Sequence, residues 1–322
     1  MTRNLETWRF IQKNLELKIP TVLLYVLESL GSSPGREGFC MAVNQNEGMV
    51  GSIGGGIMEH KFVEMSKEML RKANAEVSIH RQIHDKSAPK QQSGMICSGE
   101  QTILIYSLQN KDLEAVKKLN TSFEKGETGT LTLKTEGIEF VAKPTFQKSE
   151  SIISSENDWF YTASLGFRTR LHIVGAGHCA LAFSKIMAMM DFQIHLYDDR
   201  QNLNTMAENQ FVFEKVVVSD FTYLSELIPE NPNDFVVIMT FGYRTDDLAI
   251  RALKDRKFAF LGVLGSKKKI EKMMSDYRSE GFDETWLASM YAPVGMFIKS
   301  QTPEEIAISI AAQIIAVKNK AL

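Results

Sequence analysis

Apolar residues recur at Leu5, Trp8, Ile11 and Leu15, the spacing of one helical face, and predict a helix over 5–17. An apolar run from Thr21 to Leu27 predicts a strand, stopped by Gly31-Ser32-Ser33-Pro34-Gly35. Residues 39–43 and 49–53 read as two more strands about the turn Asn46-Glu47-Gly48. After Gly54-Gly55-Gly56, the helical spacing of Met58, Phe62, Met65 and Met69 predicts a helix to about Ala73. Further strands are expected at 76–83, 101–108, 129–134 and 137–143, with a helix near 111–124. This half reads as α+β.

The pattern changes in the polar stretch from Pro144 to Tyr161, which carries Lys-Ser-Glu-Ser and Ser-Ser-Glu-Asn segments. Residues 146–166 are therefore expected to be a linker between domains at 1–145 and 167–322. Beyond it, short apolar strands at 170–174, 193–198, 211–218, 234–240 and 257–263 alternate with helices, one of them at 266–279. That alternation predicts a doubly wound parallel sheet. A last helix, near 303–318, opens with Thr302-Pro303-Glu304-Glu305, a capping box with Pro at the first helical position.

Composition narrows the class. The chain has 322 residues, 44% hydrophobic and 24% charged, which excludes a disordered chain, a collagen and a disulfide-stapled miniprotein. Lys+Arg at 37 against Asp+Glu at 39 gives a net charge of -2, so no global positive field draws nucleic acid or anionic lipid. The three cysteines, Cys40, Cys97 and Cys179, are widely spaced and form no C-x-x-C zinc pattern. A reducing cytosol fits them best. The N-terminal stretch lacks the apolar core of a signal peptide, and the longest apolar runs are too short to span a bilayer. A cytoplasmic protein is expected.

Candidate chemistry concentrates in glycine-rich loops. Leu171 to Ala180 is a strand entering a helix, with Gly175, Gly177 and Ala180 in a G-x-G-x-x-G/A pattern. The first glycine allows the tight turn and the second a close approach to pyrophosphate, while the small third residue lets helix and strand pack. About 20 residues on, the next strand ends in Asp198-Asp199-Arg200, where a carboxylate can accept from a ribose hydroxyl. The pattern is that of a Rossmann fold, taking either a dinucleotide or another phosphate at the helix N-terminus. His178 can reach that phosphate or cap the helix. Two more glycine stops follow strands of the same sheet, at Thr240-Phe241-Gly242-Tyr243 and at Gly262-Val263-Leu264-Gly265-Ser266. Lys267-Lys268-Lys269 then oppose the dipole of their own helix, so they are either a solvated run or face an anion.

In the first half, Gly51-Ser52-Ile53-Gly54-Gly55-Gly56 also joins a strand to a helix. Such a stretch is entropically costly to order. Its backbone N–H groups either converge on an anion or simply permit a sharp, tightly packed reversal. Glu59, one turn into the helix, can cap it or meet a polar ligand. Gly94-Met95-Ile96-Cys97-Ser98-Gly99 is a third such turn, whose loop thiol is either reachable and reactive or inert packing. His80 and His84 fall on a strand or loop, where their spacing makes no helical zinc pair.

Together these motifs resemble the XdhC/CoxI family, accessory proteins for molybdenum hydroxylases such as xanthine dehydrogenase. Gly31-Ser32-Ser33-Pro34 with Arg36 and Gly38 is similar to the family's GSSP-x-R-x-G turn, and Gly51 to Gly56 with Glu59 to its GSIGGG-x-x-E loop. Gly94 to Cys97 resembles its G-M-x-C turn, and Val174 to His178 with Asp198-Asp199-Arg200 its GAGH…DDR core. Leu261 to Lys267 and Thr302 to Ala307 with Ser309 resemble its G-x-x-GS-[RK] loop and its TPEEIA-x-S helix.

The resemblance implies an N-terminal XdhC/CoxI-type α+β domain and a C-terminal Rossmann-like domain. It implies binding of the molybdenum cofactor (molybdopterin), protection during sulfuration by a cysteine desulfurase-type donor, and delivery to a molybdenum hydroxylase. Ser33, Arg36, Gly51, Ser52, Gly54, Gly55, Gly56, Glu59, Cys97, Gly175, Gly177, His178, Asp198, Asp199, Gly242, Gly265, Ser266 and Lys267 are the implied cofactor contacts. Cys97 is the one suited to a soft, sulfur-rich metal centre. A symmetric homodimer is the expected assembly. Three places depart from the family pattern. Ile57 follows the glycines where the family often has Cys. Phe241 and Tyr243 replace the histidines of T-H-G-H. Gly295-Met296-Phe297-Ile298-Lys299-Ser300 replaces G-L-x-I-G-A. The competing reading is an NAD(P)-dependent oxidoreductase, in which Tyr243 would have to donate the proton.

Overall fold

The computed structural model describes residues 3–72, 77–83, 99–142, 149–155, 158–166, 169–190 and 192–320. The chain separates into two compact units, Thr2–Gly166 and Phe167–Leu322.

The first unit runs α1 (Arg3–Glu16), β1 (Thr21–Gly31), β2 (Cys40–Asn44), β3 (Met49–Gly51), α2 (Gly56–Arg71), β4 (Val77–Ile83), β5 (Gly99–Ser107), α3 (Leu113–Glu124), β6 (Gly129–Lys134), β7 (Gly137–Ala142), β8 (Glu150–Ser155) and β9 (Asp158–Leu165). An antiparallel sheet has the order β3-β2-β1-β5-β4, and a second one β7-β6-β9-β8. The continuous apolar run of β1 has a structural cause: the strand is buried on both faces. Leu23, Tyr25 and Leu27 join Trp8 and Ile11 of α1, Leu119 of α3 and Trp159 of the second sheet in one core. Val22, Leu24 and Val26 face the other way, under Met58, Phe62 and Leu70 of α2.

The expected linker at 146–166 is corrected by the structure, because β8 and β9 lie within it and complete the second sheet. β9 alternates: Trp159, Tyr161 and Ala163 are buried, while Asp158, Phe160 and Thr162 are not. Asp158 and Thr162 lie on the less buried side of this sheet, a pattern that composition alone does not distinguish from a linker.

The second unit runs β10 (Thr169–Val174), α4 (His178–Met187), β11 (Phe192–Asp198), α5 (Asn204–Glu208), β12 (Glu214–Val217), α6 (Leu224–Leu227), β13 (Asn231–Ile238), α7 (Tyr243–Ala252), β14 (Phe258–Val263), α8 (Lys267–Ser279), α9 (Glu284–Ser289) and α10 (Pro303–Lys318). Its strands are parallel, in the order β12-β11-β10-β13-β14. This is the doubly wound sheet expected from the alternation. Successive connections leave β10 in opposite directions, so the order reverses between β10 and β13, where such sheets open a crevice beyond the strand ends. Ala180, Phe183 and Met187 of α4 pack with Ala307, Ile310 and Ile314 of α10 on one face. Ala249, Ile250, Ile270, Met273 and Tyr277 of α7 and α8 cover the other.

After α9, Tyr291 bridges Gly262 in parallel and the Val294 amide donates to the Val263 carbonyl (2.9 Å), which carries residues 295–298 to the C-terminal edge of the sheet. No helix among the described residues is long and apolar enough to cross a membrane.

The capping box of α10 forms as the sequence predicts. Thr302 Oγ1 accepts from the Glu305 amide at 3.2 Å, and the Glu305 carboxylate accepts from the Gln301 amide at 2.6 Å and the Thr302 amide at 3.3 Å. Replacing Thr302 by Ala orphans one of these donors and is expected to cost about 1 kcal/mol. Urea unfolding of the Thr302→Ala chain measures it, and an unchanged midpoint would show that the box contributes nothing to stability.

Candidate functional site

The glycine loop of the first unit holds an anion that the chain itself supplies. Glu59 Oε2 accepts from Ser52 Oγ at 2.6 Å, the Ile53 amide at 2.9 Å and the Gly55 amide at 3.1 Å. Ser52 Oγ accepts in turn from the Gly54 amide at 3.1 Å. These donors converge because Gly54 and Gly55 take left-handed backbone, with φ of 130° and 76°. The Glu59 carboxylate thus occupies the nest that the sequence left open to a ligand anion.

The loop also packs tightly, backbone to backbone. A Cβ at Gly35 would sit 2.0 Å from the Ile53 carbonyl oxygen, and one at Gly54 would sit 2.5 Å from the Gly35 nitrogen. Gln101 Nε2 locks the contact by donating to the Gly35 carbonyl at 3.0 Å and the Ile53 carbonyl at 3.3 Å. Ser33 is buried and donates to the Gly35 carbonyl at 3.2 Å, while Arg36 Nη1 donates to the Gly31 carbonyl at 2.8 Å. Gly51 and Gly56 flank the loop, and Ile57 is exposed.

Cys97 lies outside the described residues. Among the described residues, no group of three or more His, Cys, Asp or Glu side chains could hold a metal ion. Burial pushes the Cys40 thiol up to about 12 despite a hydrogen bond to Thr7, and burial likewise raises Cys179. Neither is poised as a thiolate ligand.

The second unit divides its two acidic residues between two jobs. Asp198, the last residue of β11, is buried. Its carboxylate accepts from the Ala176 amide at 2.7 Å, the Arg200 amide at 3.0 Å, and Arg200 Nε and Nη2 at 2.8 Å each. Burial alone would raise its pKa, but the Arg200 guanidinium and the two amides outweigh burial and hold it below the usual carboxylate range. Asp198 therefore fixes the glycine loop and is not free for a ribose. Asp199, the next residue, is exposed and is the carboxylate left to meet a ligand.

The glycines of this unit also divide. Gly175 has φ 100°, and a Cβ on it would come within 2.5 Å of the Met239 carbonyl oxygen, so packing against the β13 exit requires it. Gly177 and Gly242 differ: their φ values of -73° and -172° suit any residue, and no atom lies within 4 Å of a Cβ built on either. Neither glycine is demanded by its own backbone or its neighbours. Both stand at the exits of β10 and β13, on the two sides of the switch point. No side chain caps the N-terminus of α4, and His178 beside it is exposed.

Of the three lysines, Lys269 is structural. Its ammonium pairs with buried Asp246 and donates to the Leu264 carbonyl at 3.0 Å. Asp246 also accepts from the Thr240 amide at 3.1 Å and Thr240 Oγ1 at 2.6 Å, which ties the β13 and β14 exits together. Sequence reasoning missed this clasp. Its only signal was an acid in the first turn of α7. Ser266 caps α8 by accepting from the Lys269 amide at 3.3 Å, and Gly265 packs beside Ile270. The Lys267 side chain is 86% exposed, with Glu271 at 3.8 Å. The Tyr243 hydroxyl donates to Asp276 at 2.6 Å, and that bond pushes its pKa up to about 12, so it is a poor proton donor.

Comparison with known proteins bears on these loops. Residues 171–314 match the family model described as the XdhC Rossmann domain, and residues 15–81 match the XdhC and CoxI family model. The uncharacterised protein YqeB of Escherichia coli is 26% identical over 309 residues, covering 95% of this chain and 45% of its own length. A Bacillus subtilis protein described as a probable xanthine dehydrogenase component is 26% identical over 159 residues, covering 48% of this chain and 44% of its own. The chain thus spans less than half the length of these curated relatives. A crystal structure described as a xanthine dehydrogenase from Bacillus halodurans superposes with a TM-score of 0.71 at 23% identity, over 98% of this chain and 97% of that one. At that identity it shows a shared fold.

Removing the internal anion should loosen the first loop. Glu59→Ala leaves the amides of Ile53 and Gly55 without an acceptor and is expected to cost about 1–3 kcal/mol, read by urea unfolding; an unchanged stability would show that these amides find water instead. Asp198→Asn is expected to destabilise at neutral pH by a similar amount. Because the folded carboxyl titrates below its unfolded value, its stabilisation is present above about pH 4 and is lost as pH falls through the folded pKa. The stability gap between wild type and Asp198→Asn should therefore close in strong acid, and a gap that widens there would contradict the assignment.

Proposed function

Because the chain belongs to the XdhC/CoxI family, we propose that it is an accessory protein of a xanthine dehydrogenase-type molybdenum hydroxylase. In this reading it binds the molybdenum cofactor as cargo and shelters it while a cysteine desulfurase-type donor supplies sulfur. It then passes the loaded cofactor to the enzyme. The chain acts as a carrier, as a homodimer, and catalyses nothing alone. The B. subtilis relative, by its name, supports the link to xanthine dehydrogenase.

The observation that carries the reading is the room beside Gly177 and Gly242 at the switch point. The cargo ends in a phosphate or a nucleotide diphosphate. Open amides at the start of α4, two glycines without side chains in the way, exposed His178 and exposed Asp199 suit that end. The metal end is a different matter. No metal-holding group stands among the described residues, and Ile57 has no ligand atom. Cys97, outside the described residues, is the metal contact that the family resemblance implies. The first unit's loop serves this reading as a rigid frame, since Glu59 already fills it. A hydride-transfer reading is weakened by Phe241, which carries no proton to give, and by Tyr243, which is held by Asp276.

The test is a titration of the purified chain with molybdenum cofactor, with NAD(P)H as competitor. Tight binding that equimolar NAD(P)H does not displace is expected. Gly177→Val should weaken it at least about tenfold with no change in melting temperature, because its side chain enters open space. Binding of NAD(P)H alone would overturn the proposal.

A further inference from the structure

Two phenylalanines stand almost wholly in solvent at the edge just described: Phe241 is 91% exposed and Phe297 is 89% exposed. Burying a Phe side chain is ordinarily worth about 1.5–3 kcal/mol, so two rings held out in water on the ligand-facing edge call for an occupant.

The topology brings both rings to the C-terminal edge of the sheet, with Phe241 next to the glycine loop. A Cβ on Gly175 would meet the Met239 carbonyl and Thr240, so the β10 and β13 exits are neighbours, and Val294 lies beyond them against Val263 at the end of β14. Each then emerges at the C-terminal edge of the sheet: Ala176 into Gly177, Met239 into Phe241 and Gly242, and Val294 into Met296 and Phe297. The Met239 amide donates to the Val174 carbonyl at 2.8 Å, which fixes the β13 exit against β10. α4 and α10 pack on one another through Ala180, Phe183, Ala307 and Ile310.

The backbones under the rings are anchored. Thr240 is bonded to Asp246, and the Gly242 amide donates to Thr245 Oγ1 at 3.2 Å. The Met296 amide donates to the Ser309 carbonyl at 3.1 Å, Ser309 Oγ donates to the Met296 carbonyl at 2.6 Å, and the Gly295 amide donates to Gln313 Oε1 at 2.7 Å. Rings on fixed backbone lose little freedom when a ligand arrives.

We propose that Phe241 and Phe297 are the surface on which the planar heteroaromatic ring of a phosphate-bearing ligand stacks while its phosphate end lies at Gly177 and Gly242. The identity of that ligand as the molybdenum cofactor rests on the function proposed above; the stacking role does not. Aromatic faces accept any flat π-system, so Phe241 and Phe297 set affinity for the ring, and the glycine loop sets affinity for the phosphate.

The experiment is calorimetric titration of wild type, Phe241→Ala, Phe297→Ala and Phe241→Trp with molybdenum cofactor, NADH and inorganic pyrophosphate. Each Ala variant should bind the ring-bearing ligand about tenfold more weakly, Phe241→Trp should keep wild-type affinity, and pyrophosphate binding should stay the same in all four. Melting temperatures should not move, since neither side chain packs on the core. If wild type binds the molybdenum cofactor and both Ala variants match it within twofold, the stacking role is overturned while the carrier function stands. If wild type binds only NADH, with the same loss in the Ala variants, the stacking role stands and the carrier function falls. If wild type binds neither ring-bearing ligand, both fall.

Discussion

Wherever this chain leaves a strand, its backbone amides lose their ladder partners and must find acceptors. At several strand exits among the described residues, buried or half-buried carboxylates supply them. Glu59 takes amides of the 51–56 loop, Asp198 takes those of Ala176 and Arg200, and Asp246 takes that of Thr240. Asp112 does the same for Gln109 and Ile138, with the Tyr106 hydroxyl as a further donor. The loops that look most like ligand cradles in the sequence are held in shape by acids of the chain.

That constraint separates scaffold from site. Once the internal acids have taken their donors, the amides at the start of α4 and the room beside Gly177 and Gly242 remain. A glycine that is needed for packing, as at Gly54 or Gly175, says nothing about a ligand. A glycine with ordinary φ and empty surroundings does. The two kinds are identical letters in a G-x-G pattern, and only the geometry around them tells them apart.

Much was legible beforehand. The helical stripe of α1, the apolar strand β1, the alternation behind the parallel sheet and the capping box of α10 all follow from local pattern. So did the family. The failures have a common cause: side-chain direction at the ends of elements. Asp198 and Asp199 are adjacent, yet the strand pleat turns one inward and the other out. Glu59, one helical turn beyond Gly55, was legible as either a cap or a ligand contact, and only its side-chain direction, back onto the Gly55 amide, decides for the cap. Lys269 differs from Lys267 only in the helix face on which it lies. β8 and β9 were missed because polar outward positions outweighed an alternation of three buried residues.

The central place of β1 also sets a timetable. Seven of its residues, Thr21 to Leu27, are buried, and its neighbour on one side, β5, begins only at Gly99. At a synthesis rate of about 5–20 residues per second, the strand leaves the ribosome on the order of ten seconds before that neighbour exists. Over that interval β2 and β3 can form a hairpin sheet on one flank, while the other flank is an open edge with apolar residues on both faces. The nascent chain is thus most prone to aggregate early, and a cell short of chaperone capacity would lose this protein at the elongation stage rather than after release.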